Sequence, residues 1–251
     1  MVCSHEQPGL ILGRRRVSRS GPESKPFQIP EQLVWEAYRR VKANKGAAGV
    51  DEQSLGEFGS GLRDNLYKIW NRMSSGTYFP PSVMAVEIPK ASGGTRMLGV
   101  PTVADRVAQT VAALALEART ESIFHEDSYG YRPRRGALDA VAKCRQRCWE
   151  KDWVIDLDVQ KFFDRVPWDL MVKAVEANIT TSQKWVLLYA KRWLAAPLQL
   201  PDGTLARRDR GTPQGGLCSA EHNEPAAHNP ALRIGLGCFA RVGEPIPPLC
   251  I

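Results

Sequence analysis

The stretch VIDLDVQKFFDRV, residues 154–166, sets Asp156, Asp158 and Asp164 in an apolar run that reads as a strand entering a turn. Burying carboxylates beside Val154, Ile155 and Leu157 is unfavourable unless something positive faces them. Side chains alternate across a strand, so Asp156 and Asp158 share one face while Ile155, Leu157 and Val159 point to the other, into the core. Two carboxylates facing one way suit a hard divalent cation such as Mg²⁺, which takes oxygen ligands and keeps waters for substrate phosphates. The alternative at this point is that Asp156 or Asp158 caps the next helix or pairs with an arginine.

Three further stretches carry chemistry. IPKASGGTRMLGVPT places Lys90 and Arg96 on the two arms of a hairpin, where both cationic heads can converge on one anion; the competing reading is solvated surface charge. YGYRPRRGALDAV adds two tyrosines and three arginines before a helix, offering stacking surfaces and phosphate contacts together. GTPQGG, residues 211–216, puts Gln214 in a backbone free of large side chains, suited to close approach by a ligand.

These residues need elements to hold them. Apolar periodicity predicts a helix from Pro30 with Leu33, Val34, Ala37, Tyr38 and Val41 inward and a stop at ANKG, then a second with Leu62, Leu66, Ile69, Trp70 and Met73. A hairpin turns at Gly93 and Gly94. Thr102 and Asp105 read as a capping box opening a long helix with Val107, Val111, Leu114 and Ala118 inside. The next helix turns Leu138, Val141, Ala142, Cys148 and Trp149 inward. After the aspartate strand come two helices, the first with Pro167 at its start, and a hairpin about Asp202 and Gly203. Local hairpins mixed with helices make the fold class α+β.

Composition bounds the function. Hydrophobic residues are 43% of 251, enough for a real core, and the formal charge of +7 is compatible with a polyanionic partner. No apolar run is long enough to span a bilayer, and the N-terminus lacks the pattern of a secretory signal, so no membrane partner and a cytoplasmic location are the expectation. Six cysteines at irregular spacing form no disulfide framework. Cys144 and Cys148 could clamp a metal, but a pair of small buried hydrophobes is the favoured reading. Cys218, His222, His228 and Cys238 fit no zinc module.

Taken in order, NKGAAGVD, IPKASGGTRMLGVPTVADRVAQ, SYGYRPRRGALDAV, DLDVQKFFDRV and GTPQGG resemble the reverse transcriptases encoded by bacterial group II introns, over residues 31–216. The resemblance implies a right-hand polymerase fold with a basic disordered arm over 1–29, fingers over 30–135, a partial palm over 136–216 and an atypical, disordered tail over 217–251. It implies that Asp158 is the first catalytic aspartate, ligating Mg²⁺ with the carbonyl of Val159. Lys90 and Arg96 would hold the triphosphate, Phe163 would lie beneath the sugar and favour deoxynucleotides, and Gln214 would pack near nucleotide and duplex. Asp156 and Asp164 would be structural or supporting. The implied partners are intron RNA, an RNA–DNA template–primer duplex and deoxynucleoside triphosphates, and the implied activity is RNA-directed DNA polymerase and maturase.

The family continues past P-Q-G-G to a Y-x-D-D hairpin whose aspartate completes the metal site. Here the last aspartate is Asp209. The expectation is therefore a truncated chain that does not polymerise alone, with an open sheet edge and exposed apolar surface favouring aggregation. The rival reading is a non-catalytic RNA-binding fragment or a decayed remnant.

Overall fold

The computed structural model describes residues 25–89, 94–130, 132–155 and 162–212, with the backbone alone at 96, 118 and 162. Helix α1 (Glu31–Asn44) starts after Pro30 and buries Val34, Ala37, Tyr38 and Val41, the predicted face. The chain leaves it through Lys45 at φ 56° and Gly46 at φ 113°. A short α2 (Leu55–Ser60) was not expected, because two glycines dilute its period. It is held by a capping box in which Ser54 N donates to Glu57 Oε2 at 2.7 Å and Glu57 N to Ser54 Oγ at 3.2 Å. Its Phe58 is buried against the Tyr38 ring, centroids 5.9 Å apart. Helix α3 (Leu62–Ser74) buries Ile69 and Met73 as predicted.

Strands β1 (Val83–Pro89) and β2 (Thr95–Val100) form the expected antiparallel hairpin, in register from Met84 opposite Val100 to Pro89 opposite Thr95. Val83 and Ala85 are buried while Glu87 and Pro89 are exposed, so the hairpin is rooted in the body and its far end stands clear.

Helix α4 (Val103–Thr120) is the centre of the molecule: Val103, Val107 and Val111 are completely buried. A helix apolar around most of its circumference must be surrounded, and α1, α2 and α3 all pack on it. Thr102 caps it, accepting from Asp105 N at 3.2 Å, but the second half of the predicted capping box does not form. The Asp105 carboxylate turns inward instead: Oδ1 accepts from Tyr78 Oη and Trp193 Nε1, and Oδ2 from Gln109 Nε2, each at 2.8 Å. Three donors outweigh one backbone N–H at a position with no access to water.

Helix α5 (Ala137–Cys148) forms where predicted, opened by Gly136 N donating to Asp139 Oδ2 at 2.8 Å. The inward face assigned to it is a correction. None of its residues is buried, Leu138 is 84% and Trp149 79% exposed, and Val141, Ala142 and Cys148 also face out. Periodicity picks out the apolar face of a helix but cannot supply something to cover it, and no described element packs there. The same finding corrects the reading of Cys144 and Cys148 as buried hydrophobes, since both thiols are exposed. Val154 and Ile155 are exposed too, Ile155 by 82%, and residues 153–155 form no strand. The remainder of the expected aspartate strand, 156–160, lies outside the described residues.

Helix α6 (Phe162–Arg165) is a single turn. Helix α7 (Trp168–Ala177) follows Pro167, which sits at its N-cap, and α8 (Lys184–Ala195) buries Trp185, Val186, Tyr189, Ala190 and Leu194. Strands β3 (Leu198–Gln199) and β4 (Leu205–Ala206) make the second expected hairpin, its turn fixed by Thr204 N donating to Asp202 Oδ1 at 2.9 Å. β3 joins β1 in parallel, giving the sheet order β2-β1-β3-β4. One hydrophobic core joins residues 29–116 to residues 175–190. The architecture is α+β, as expected. No described helix is long and apolar enough to cross a membrane.

Candidate functional site

Two segments far apart in sequence are laced together. Thr212 N donates to the carbonyl of Phe163 at 2.7 Å, Gly211 N to that of Val166 at 2.8 Å, and Trp168 Nε1 to that of Gly211 at 2.8 Å. Pro167 and Arg210 form an isolated bridge alongside. Gly211 takes φ +68°, and a Cβ there would lie 2.6 Å from the carbonyl oxygens of Phe163 and Asp164. Glycine is required at this position by the approach of the protein's own backbone, not by a ligand. The junction fixes α6 and Phe163, which is half-buried, to the segment leading into Pro213.

Beside the junction is a cavity of about 280 Å³, lined by Met97 and Gly99 of β2, by Asp164, and by residues 207–212. The β1–β2 hairpin, α6 and the segment entering P-Q-G therefore meet at one place. Arg208 is the polar anchor of this place. Its Nη2 donates to the carbonyls of Leu194 and Ala196, both at 3.3 Å, and Nη1 to that of Gly211 at 3.1 Å. A guanidinium on the last carbonyls of α8 satisfies groups the helix leaves open and complements its dipole. Burial pushes its pKa below the usual arginine value.

The loop before α5 is organised by another arginine. Arg132 is 6% exposed. Its Nε and Nη2 donate to Glu121 Oε1 at 3.1 and 2.9 Å, and its Nη1 to the carbonyls of His125 and Ser128 at 2.7 and 2.9 Å. This donor set is consumed inside the protein, so the expectation of phosphate contacts from all three arginines is corrected for Arg132. Arg134 is exposed at φ 58°, and Arg135 stacks over Tyr129 at 5.5 Å.

The NKGAAGVD stretch is a clamp on α4. Arg106 Nη1 and Nη2 donate to the carbonyls of Lys45 and Ala47 at 3.2 and 2.7 Å. A Cβ on Gly46 would collide with that guanidinium, and one on Gly49 would lie 2.6 Å from Thr102 N. The motif's glycines let the loop lie flat on the start of the central helix, at the root of the β1–β2 hairpin.

Residues 88–222 match the family model described as reverse transcriptase (RNA-dependent DNA polymerase). The chain belongs to the reverse transcriptase family. It is 34% identical over 197 residues to protein YkfC of Escherichia coli K12, covering 76% of this chain and 51% of that protein. It is 27% identical over 196 residues to the group II intron-encoded protein LtrA of Lactococcus lactis subsp. cremoris, covering 77% of this chain and 32% of the other. The putative COX1/OXI3 intron 2 protein of Saccharomyces cerevisiae is 27% identical over 198 residues, 75% of this chain and 22% of its own. The chain thus spans from about half to about a fifth of the length of these relatives, and the resemblance to intron-encoded reverse transcriptases is borne out.

Of the residues expected to do chemistry in this reverse transcriptase-family chain, Phe163 is the one fully described, held at the junction with Thr212. Arg96 is described in its backbone, paired with Ile88 near the far end of the hairpin. Lys90, Asp158, Val159 and Gln214 lie outside the described residues. Reverse transcriptases are in general divalent metal-dependent. Among the described residues no group of three His, Cys, Asp or Glu side chains could hold a metal ion. The sequence reading missed Arg208 and Arg106 and took the glycines of GTPQGG as room for a ligand, where Gly211 makes room for the carbonyls of Phe163 and Asp164. For Gly211 the available signal was a glycine directly before T-P, but the arginines carry no local signal, because their partners are backbone carbonyls brought in by the fold.

Proposed function

We propose that the chain supplies the nucleotide-binding fingers and the front of the palm of a group II intron-type RNA-directed DNA polymerase and maturase. What supports this reading is the meeting of β2, α6 and the segment entering P-Q-G around one cavity, within the stretch that matches the reverse transcriptase family. In this reading residues 30–135 are fingers and 136–216 palm, flanked by 1–29 and 217–251. Lys90 and Arg96 hold the triphosphate, Phe163 lies beneath the sugar, and Gln214 packs near nucleotide and duplex. Asp158 and the carbonyl of Val159 would hold Mg²⁺, which when bound stabilises charge on the attacking and leaving oxygens of nucleotidyl transfer. The partners are intron RNA, the RNA–DNA duplex and deoxynucleoside triphosphates, in a cytoplasmic setting.

A second reading, RNA binding without catalysis, is favoured by one observation: no aspartate, and so no Y-x-D-D, follows Asp209 in these residues. Primer extension on an RNA template with Mg²⁺, beside filter binding of the same duplex, separates the readings. Extension abolished by Asp158→Ala supports the polymerase. Duplex binding without extension supports the second reading. Absence of duplex binding overturns both.

A further inference from the structure

The peptide unit joining Gly211 to Thr212 ties three elements together. A trans peptide is planar, so its carbonyl and its N–H point in opposite directions and turn as one. The N–H end, on Thr212, donates to the carbonyl of Phe163 at 2.7 Å. The carbonyl end, on Gly211, accepts from Trp168 Nε1 at 2.8 Å and from Arg208 Nη1 at 3.1 Å. Phe163 stands on α6, a single turn of four residues, and one turn of helix does not hold itself. Its place is set from outside, by the bonds from Thr212 and, three residues on, from Gly211 N to the carbonyl of Val166. Glycine does little to restrict the rotation of its own peptide, so the donors on the Gly211 carbonyl must fix which way the Thr212 N–H points. Arg208 divides its donors between that carbonyl and the end of α8. Trp168 has a single donor and gives it to Gly211, while its ring packs with Val166 and Val172 against the buried Met171 and Leu194. The indole thus carries the position of the α7–α8 core to the peptide that holds Phe163.

We propose that Trp168 is a positioning residue for the choice between deoxyribose and ribose: its indole N–H orients the Gly211–Thr212 peptide, and that peptide holds the Phe163 ring where a 2′-hydroxyl would strike it. The proposal rests on the reading of Phe163 as the ring beneath the sugar. A ring that rejects one hydroxyl by contact has to be held closely, since a small displacement opens the space the hydroxyl needs. Without the indole donor the peptide is free to turn, the bond to the Phe163 carbonyl loosens, and the ring can give way to ribose. Trp168 therefore acts on sugar selection through two hydrogen bonds and one peptide plane.

The test is equilibrium dialysis of the full chain with dATP and with ATP, Mg²⁺ present, read as the ratio of the two Kd values. The parent should bind ATP about tenfold more weakly or worse, and Phe163→Val should bring the two affinities together. Trp168→Phe, which keeps an apolar ring and removes the donor, should lower the ratio about threefold or more, the equivalent of one neutral hydrogen bond. Trp168→His, whose Nε2–H can reach the same carbonyl, should restore most of it. Arg208→Met withdraws the other donor and should also lower the ratio, so the test survives a Trp168→Phe that fails to fold, and thermal melting checks each variant. If Phe163→Val removes discrimination but Trp168→Phe leaves the ratio unchanged, or weakens both nucleotides equally, the proposal is overturned and the reading of Phe163 stands. A Trp168→His no better than Trp168→Phe assigns the effect to packing and overturns it as well. A parent that binds the two nucleotides equally, or binds neither, overturns the proposal and the reading of Phe163 together.

Discussion

At the scale of single residues the most consequential group is Asp105. It is 1% exposed and faces three donors but no cation. Burial, offset in part by hydrogen bonds from Trp193, Tyr78 and Gln109, lifts its pKa from 3.8 to about 6. The folded state thus binds this proton more tightly than the unfolded chain. The resulting stabilisation is complete below pH 3.8 and is lost as pH rises through about 6, a change on the order of 2–3 kcal/mol. Asp105→Asn keeps an oxygen for Tyr78 and Trp193, while Gln109 can rotate its amide to accept from the new NH₂. Urea midpoints should then show a decline between about pH 4 and about pH 6.5 in the parent that is absent in Asp105→Asn. Parallel pH profiles would remove Asp105 as the source. Asp105→Ala, which leaves Tyr78 Oη, Trp193 Nε1 and Gln109 Nε2 without their acceptor, should cost about 2–4 kcal/mol at acidic pH, and less as pH rises and the parent loses its own stabilisation.

Gly211 makes a different prediction at the same scale. Gly211→Ala combines a left-handed φ with a Cβ 2.6 Å from backbone oxygens that cannot give way. A loss of more than about 2 kcal/mol is expected, with the Thr212–Phe163 hydrogen bond among the casualties. Hydrogen exchange at Thr212 N should accelerate, and an unchanged rate there would mean the junction tolerates the extra carbon.

At the scale of elements, the β1–β2 hairpin is rooted by Val83 and Ala85, and its exposed far end carries Arg96 opposite Ile88. A lever anchored at one end can deliver charge to a ligand without costing the core anything. Lys90→Ala and Arg96→Ala are each expected to raise the Kd for a deoxynucleoside triphosphate about tenfold, the loss of roughly one charge-assisted phosphate contact. Equilibrium dialysis measures this directly, and the thermal midpoint should stay put because neither substitution touches the root.

Elements also show what was readable in advance. Helices α1, α3 and α4 and both hairpins follow from apolar period and turn chemistry, because those signals are local and many residues contribute to each. Even α2 had a signal, Ser54 three residues before Glu57. The exposed face of α5 was misread because periodicity names a face without saying whether anything covers it. The parallel pairing of β3 with β1 rests on two residues of β3 and joins positions over a hundred residues apart, beyond any local pattern. Asp105 was misread for a related reason: Thr-x-x-Asp is a genuine cap signature, but Tyr78 and Trp193 compete for the carboxylate from distant segments. Of the candidate site, the motif positions were legible and the lacing of Gly211 and Thr212 to α6 was not, since it is made of backbone groups.

At the scale of the whole molecule, a net charge of +7 is compatible with a polyanionic partner but does not say where one would bind. The structure sorts the arginines that the sequence lumps together. Arg132 is spent on Glu121 and two carbonyls, whereas Arg134 is exposed and Arg145 lies over the exposed ring of Trp149 at 5.3 Å on the uncovered face of α5. A cation stacked on an exposed indole is a platform for an unpaired base and its phosphate. Arg145→Ala should therefore weaken single-stranded RNA binding and reduce the dependence of log Kd on log salt by about 0.7, one phosphate's share. Trp149→Ala should weaken binding at constant slope, because stacking releases no counterion. Arg132→Ala should behave unlike either: it leaves the Glu121 carboxylate without its principal cation, destabilises the loop by about 3 kcal/mol or more, and shows in thermal melting before it shows in RNA binding. If Arg132→Ala instead melted normally and lost a full phosphate's share of the salt slope, the division of labour among these arginines would be reversed.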